Sequence, residues 1–151
     1  MEITSEMVKE LRDKTGISVM ECKKALTEAE GDMEKALQVL SGKSAAAAAK
    51  KADRELGAGA VASYVHNTMQ TGAMVLLLSE TDFVSKNDEF VALAKDIAMH
   101  AAAMRPADAS EALEQEFIKD PSKKIKDLIS GATQKFGERI ELSKVAFFAV
   151  K

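Results

Sequence analysis

Residues able to do covalent chemistry are few. The chain has two histidines, His66 and His100, and one cysteine, Cys22. Neither histidine has sequence neighbours that complete a nucleophilic triad, and HExxH and CxxC spacings are absent, so neither that chemistry nor a metal or other cofactor is indicated. Ser41-Gly42-Lys43-Ser44 looks like the tail of a phosphate-binding loop. The leading glycine of such a loop belongs at position 37, which is Leu37, and a helical pattern precedes it where a strand is required. Carboxylates are more plentiful: Glu80 and Asp82 stand two apart, with Asp88 and Glu89 following. Paired carboxylates can serve acid–base hydrolysis of glycosides. One tyrosine and no tryptophan leave little aromatic surface on which a sugar would stack.

The stretch Ser79 to Asp88, SETDFVSKND, raises a different possibility. It follows the most apolar run in the chain, Ala73 to Leu78, and presents an acid and a phenylalanine before the next helix begins. A phenylalanine beyond a strand end is unfavourable in water unless something covers it, and burial is worth about 1.5–3 kcal/mol. Two readings stay open on the residues alone. Phe83 either folds back over the helix starting near Asn87 or meets a partner, and Asp82 can act as a helix-end cap in both.

Composition narrows the class. At 151 residues, 46% hydrophobic and 30% charged, the chain is expected to be a soluble globular protein of one or two small domains. Its net charge of −3 gives no overall basic field for nucleic acid. The pairs Lys23-Lys24, Lys50-Lys51 and Lys123-Lys124 read as solvated helix faces. No run of about 18 apolar residues is present, so no membrane partner is expected. MEITSEMVKE carries acids and no apolar segment, unlike a secretory signal. A single cysteine fits a reducing compartment, and a cytoplasmic location is expected.

The elements that position these residues fall into an α+β arrangement. Residues 1–42 predict three short helices: one capped by Thr4 or Ser5 and stopped at Thr15-Gly16, one opened by Ser18 with Glu21, and one ending before Ser41-Gly42. Their apolar stripes are Ile3, Met7, Val8 and Leu11; Val19, Cys22, Leu26 and Ala29; and Met33, Ala36, Leu37 and Leu40. Residues 43–56, KSAAAAAKKADREL, have strong helix propensity and almost no large side chains, which suits a helical linker that packs on nothing. Residues 57–151 predict a core domain of three strands, antiparallel, with helices on one face. Val61 to Asn67 is the first strand. Ala73 to Ser79 is the second, central, with its unbroken apolar run suggesting cover on both faces. Asn87 caps a long helix to Met104, closed by Pro106, with a short helical piece from Ser110 to Ile118. Pro121 opens another helix to Phe136, and a last strand runs from Arg139 to Val150, with a bulge near Ser143-Lys144 reconciling its two parities.

The motifs resemble a known family. Val8-Lys9-Glu10-Leu11-Arg12, Thr15-Gly16, Met20-Glu21-Cys22-Lys23-Lys24-Ala25-Leu26 and Gly31-Asp32 resemble the N-terminal domain of elongation factor Ts, a three-helix ubiquitin-associated-like fold. Glu80-Thr81-Asp82-Phe83-Val84 is similar to that family's core signature, and Ala98-Met99-His100-Ala101 and Phe136-Gly137-Glu138-Arg139-Ile140 follow in family order. The resemblance implies a guanine-nucleotide exchange factor for the translational GTPase elongation factor Tu. In the family, the aspartate and phenylalanine enter the GTPase near its Mg²⁺ and phosphate site and GDP leaves. It further implies partner contacts at Lys9, Arg12, Met20 and Lys23, at Asp82 and Phe83, and at His100. Family members often show two methionines where this chain has Val19 and Met20, so only Met20 is carried over.

Longer members carry a second core half and a helical hairpin, for which this chain leaves no room after Lys119. Short relatives dimerise, so the resemblance also implies a homodimer. Two other classes stay in view. A ubiquitin-associated-like adaptor would keep its affinity in residues 1–42 and dispense with Asp82 and Phe83. An acid–base enzyme using Glu80 and Asp82 would turn over a small substrate.

Overall fold

A computed structural model describes residues 2–151. In chain order the elements are α1 (Ser5–Thr15), α2 (Val19–Glu28), α3 (Met33–Lys50), β1 (Ala58–Val65), β2 (Thr71–Ser79) and α4 (Asp82–Ser85). Then come α5 (Asp88–Met104), α6 (Ala109–Glu114), β3 (Glu116–Phe117), β4 (Asp120–Lys124), α7 (Ile125–Phe136) and β5 (Glu141–Ala149). The protein is α+β, with an N-terminal helical bundle and a three-stranded antiparallel sheet packed with helices.

The three opening helices begin where side-chain oxygens accept first-turn amides: Thr4 from Met7, Ser18 from Glu21, and Asp32 from Glu34 and Lys35. Gly16, at φ +71°, ends α1 by directing its N–H to the Arg12 carbonyl. Leu11, Cys22, Ala25, Leu26, Ala36 and Leu40 form a buried cluster separate from that of the sheet region.

The third helix departs from expectation. It does not end before Ser41-Gly42 but continues through the alanine run to Lys50. A helical glycine costs only about 1 kcal/mol relative to alanine, and residues with high propensity flank it. Nor do residues 43–50 form a spacer that touches nothing. Their small side chains let α3 pack against α7, where buried Ser44 hydrogen-bonds the Gln134 side chain.

In the sheet the order is β1-β2-β5, so β2 is central. Ala62, Ala73, Val75, Leu77 and Leu142 point to one side and pack with Phe90, Ala94, Ile97 and Ala101 of α5. Cover on both faces is not found. The apolar run of β2 alternates between the helix-covered side and an open face bearing Val61, Met74, Leu76 and Phe148. The bulge lies where the parity change placed it. Leu76 pairs with Lys144 and Leu77 with Leu142, leaving Ser143 as the extra residue.

Residues 121–124 are not helical. Asp120 accepts the amide and hydroxyl of Ser122, and the chain pairs back on residues 116–117 as a β-ribbon. The helix waits until Ile125, opened by the Asp127 carboxylate accepting the Lys124 N–H at 2.9 Å. Among the described residues, no helix is long and apolar enough to cross a membrane.

Candidate partner-binding site

The strand-to-helix turn after β2 sets the site. Helix α4 is a single turn, and one turn has two sides. Val84 and Ser85 point inward and are buried, with Val84 joining the sheet core. Asp82 and Phe83 therefore point out, and Phe83 is 92% exposed. The ring does not fold back over α5, whose start is capped by Asn87 accepting the Glu89 N–H at 2.8 Å.

The turn is held by its surroundings. Thr81 precedes α4 in the capping position, yet its hydroxyl makes no cap bond. That hydroxyl donates to Glu138 Oε2 at 2.6 Å, and its N–H donates to Oε1 of the same carboxylate at 3.0 Å. Its carbonyl accepts from the Ser79 hydroxyl at 3.0 Å and the Ser85 N–H at 3.2 Å. Glu80 accepts the Arg139 N–H and pairs with Arg54 at 3.5 Å. Its carboxylate thus serves as a brace and is not left open beside Asp82 for acid–base work. Among the described residues, no three His, Cys, Asp or Glu side chains gather closely enough to hold a metal ion.

A second surface lies on the helical bundle. Lys9 and Arg12 of α1 and Lys23 of α2 line one groove with Ile3, Val8 and Val19. None of the three cations enters an ion pair among the described residues. Met20 is 67% exposed but is not part of the groove lining. Val19, expected in the apolar stripe of α2, is half exposed and belongs to this groove instead. As the first residue of α2 it stands outside the buried row of Cys22, Ala25 and Leu26.

His100 does not face outward. It is fully buried. Three residues beyond Ile97, it lies on the inner face of α5 beneath the β3–β4 ribbon, a cover the sequence reading took for helix. Gln115 donates its amide to the Met104 carbonyl at 3.4 Å, so its oxygen is left to accept from His100 Nε2 at 2.9 Å. Nδ1 accepts the Ile118 N–H at 3.1 Å. Burial pushes the imidazole pKa down, against a smaller opposing effect of the Gln115 bond. The ring is a neutral internal strut in this chain.

Comparison with known proteins fits this arrangement. A family model described as Elongation factor TS matches residues 80–151, from the brace at Glu80 through β5. The Elongation factor Ts of Desulfotalea psychrophila is 38% identical over 195 residues, covering 99% of both chains. The chain belongs to the elongation factor Ts family. The Elongation factor Ts of Clostridium botulinum (strain ATCC 19397 / Type A) is 46% identical over 148 residues, 98% of this chain and 48% of that one. That of Acetivibrio thermocellus is 42% identical over 160 residues, covering 96% and 74%. The chain thus spans about half the length of the Clostridium botulinum relatives it matches.

The sequence draws attention to Asp82 and Phe83 but not to the residues that hold their turn. Glu138 and Arg139 were legible only as part of the family-like FGERI stretch; nothing in the spacing pairs them with residues 80 and 81. Val19 is not among the expected contacts because it stands where family members often show a methionine, yet it lines the groove.

Proposed function

We propose that this chain is a guanine-nucleotide exchange factor that binds the translational GTPase elongation factor Tu and promotes GDP release, doing no covalent chemistry of its own. The observation that carries this reading is Phe83, almost fully solvated on a turn whose neighbours are fixed. Inserting that ring into a partner regains about 1.5–3 kcal/mol of apolar burial, enough for an interface hot spot. Asp82 enters beside it, bringing a negative charge toward the partner's Mg²⁺ and phosphate contacts, which depend on charge balance. The groove at Lys9, Arg12 and Lys23, with exposed Met20 nearby in sequence, gives a second contact that holds the GTPase while the tip acts.

Exchange is then a linkage between two binding equilibria. Whatever factor this chain takes from GDP affinity, GDP takes from the affinity for this chain. Each ~1.4 kcal/mol of antagonism is tenfold. Stopped-flow release of a fluorescent GDP from elongation factor Tu tests the reading. The chain should accelerate release, and Phe83→Ala should keep its circular dichroism spectrum and lose most of the stimulation. A fully active Phe83→Ala removes the wedge.

The open sheet face supports a homodimer as the working form. Its apolar residues come from all three strands, and a second copy presents the same face, as a twofold interface requires.

A further inference from the structure

Residues 79–81 and 137–139 are joined by side chains where the main-chain ladder stops. The last paired residues of β2 and β5 are Leu78 and Glu141. Beyond them each segment lends a carboxylate to the other's backbone: Glu80 accepts the Arg139 N–H, and Glu138 accepts the Thr81 N–H and hydroxyl. A guanidinium web ties the far side. Arg139 donates to the Arg54 carbonyl at 2.7 Å, and Arg54 pairs with Glu80. The amide, hydroxyl and carbonyl of Thr81 are all engaged, and the next two residues are the exposed tip.

We propose that Glu138 is the positioning residue of the Asp82–Phe83 tip, acting through Thr81, with Glu80 and Arg139 as the reciprocal half of the same clamp. The inference rests on the exchange reading for its functional consequence. Physically, a wedge on a loose turn loses conformational freedom when it inserts, and that loss falls on the step in which the ring enters the partner. Fixing Thr81 in the free protein removes much of that loss beforehand. The sequence order strengthens the point. Thr81 stands in the capping position, where its hydroxyl would ordinarily serve the helix; here it is diverted to a carboxylate 57 residues away. A charged acceptor makes the stronger bond. Loss of the clamp should therefore lower the maximal rate of GDP release and affect initial association less, since the helical groove is untouched.

The test uses the full chain as Glu138→Ala, Glu138→Gln and Thr81→Val, each alone and combined with Phe83→Ala. Two readouts are taken: stopped-flow GDP release from elongation factor Tu against exchange-factor concentration, and amide hydrogen exchange at residues 81–83. The clamp predicts about tenfold lower maximal release for Glu138→Ala, with the half-saturating concentration within threefold of the parent. Glu138→Gln, which keeps an acceptor for the Thr81 amide, should recover most of the loss. In the Phe83→Ala background, Glu138→Ala should have no further effect, whereas a general loss of folding would add to it. Thr81→Val removes the hydroxyl from the other side and should mimic Glu138→Gln. Thr81 amide exchange should rise about tenfold in Glu138→Ala. An unaltered maximal rate, or an effect additive with Phe83→Ala, overturns the proposal. If the parent chain fails to accelerate GDP release, the exchange reading falls. The clamp is then judged by amide exchange alone, and unchanged protection at Thr81 overturns it.

Discussion

His100 Nδ1 accepts the backbone N–H of Ile118 at 3.1 Å, joining the C-terminal part of α5 to the turn of the β3–β4 ribbon. That bond requires an unprotonated Nδ1, and burial already holds the ring's pKa below its ordinary value of about 6.5. Protonation would place a second N–H against the first.

A pH dependence of stability follows from that bond. The unfolded chain takes up a proton at His100 near pH 6.5, while the folded chain resists doing so to lower pH. The unfolded state therefore binds more protons in this window, and stability falls as pH drops below about 6.5 until the folded-state pKa is passed. Urea unfolding between pH 7.5 and 5 should show a steeper loss for the parent than for His100→Gln, which cannot titrate. Parallel profiles would remove His100 as the source.

Gly42 and Gly131 lie inside α3 and α7, and a methyl group at either would meet nothing within 4 Å. Replacing each by alanine should stabilise the chain by about 0.5–1 kcal/mol through helix propensity alone. Gly16→Ala should do the reverse. Its φ of +71° disfavours any side chain, and the new methyl would come within 3.1 Å of the Lys135 ammonium. Thermal melts of the three variants give opposite signs under this account. A destabilised Gly42→Ala would mean that α3 does not run straight through position 42.

These positions show what the sequence could and could not disclose. Caps at Thr4, Ser18 and Asn87 are local chemistry, a polar oxygen beside a free amide, and were readable. The bulge at Ser143 was readable because parity must change somewhere between Leu142 and Val145. The continuation of α3 was not, because one glycine is a weak break and the packing of Ser44 on α7 spans 90 residues. The tip at Asp82 and Phe83 is marked in the sequence as an acid and an aromatic after an apolar run. Whether the ring folds back over the next helix is not readable there, and its exposure is a finding of the structure. Its clamp was hidden for the same reason as the α3 packing: Glu138 meets Thr81 only once β2 and β5 lie side by side. The outward placement of His100 comes from the family resemblance alone, and in this chain the β3–β4 ribbon covers the ring.

The groove on the helical bundle should act on encounter. Lys9, Arg12 and Lys23 are exposed cations on its edge, and rim charges chiefly alter association rate and salt dependence. Lys9→Glu with Arg12→Glu should raise the half-saturating concentration for GDP release severalfold. The maximal rate should stay near that of the parent, and the salt dependence should flatten. An adaptor that relies on the bundle alone predicts a different pattern: these changes would abolish binding, and Phe83→Ala would leave it intact. Binding measured by calorimetry beside the release assay separates the two.

The open face of the sheet is a further large apolar surface. Cross-strand register sets Val61 opposite Leu76, Met74 opposite Ala146 and Gly72 opposite Phe148, all on the side away from α5. Phe148 is 83% exposed, with Val65 and Met69 nearby on the same surface. Contiguous apolar patches of this kind mark interaction sites more often than they stay in water. A second copy turned about a twofold axis would cover both faces at once, and twisted sheets pack face to face about 10 Å apart. Light scattering should give a dimer mass at high micromolar concentration. Phe148→Glu, which places a charge at the most exposed large apolar side chain of that face, should give a monomer with unchanged secondary structure. A monomeric parent at that concentration would rule out this pairing, and a dimeric Phe148→Glu would move the interface elsewhere.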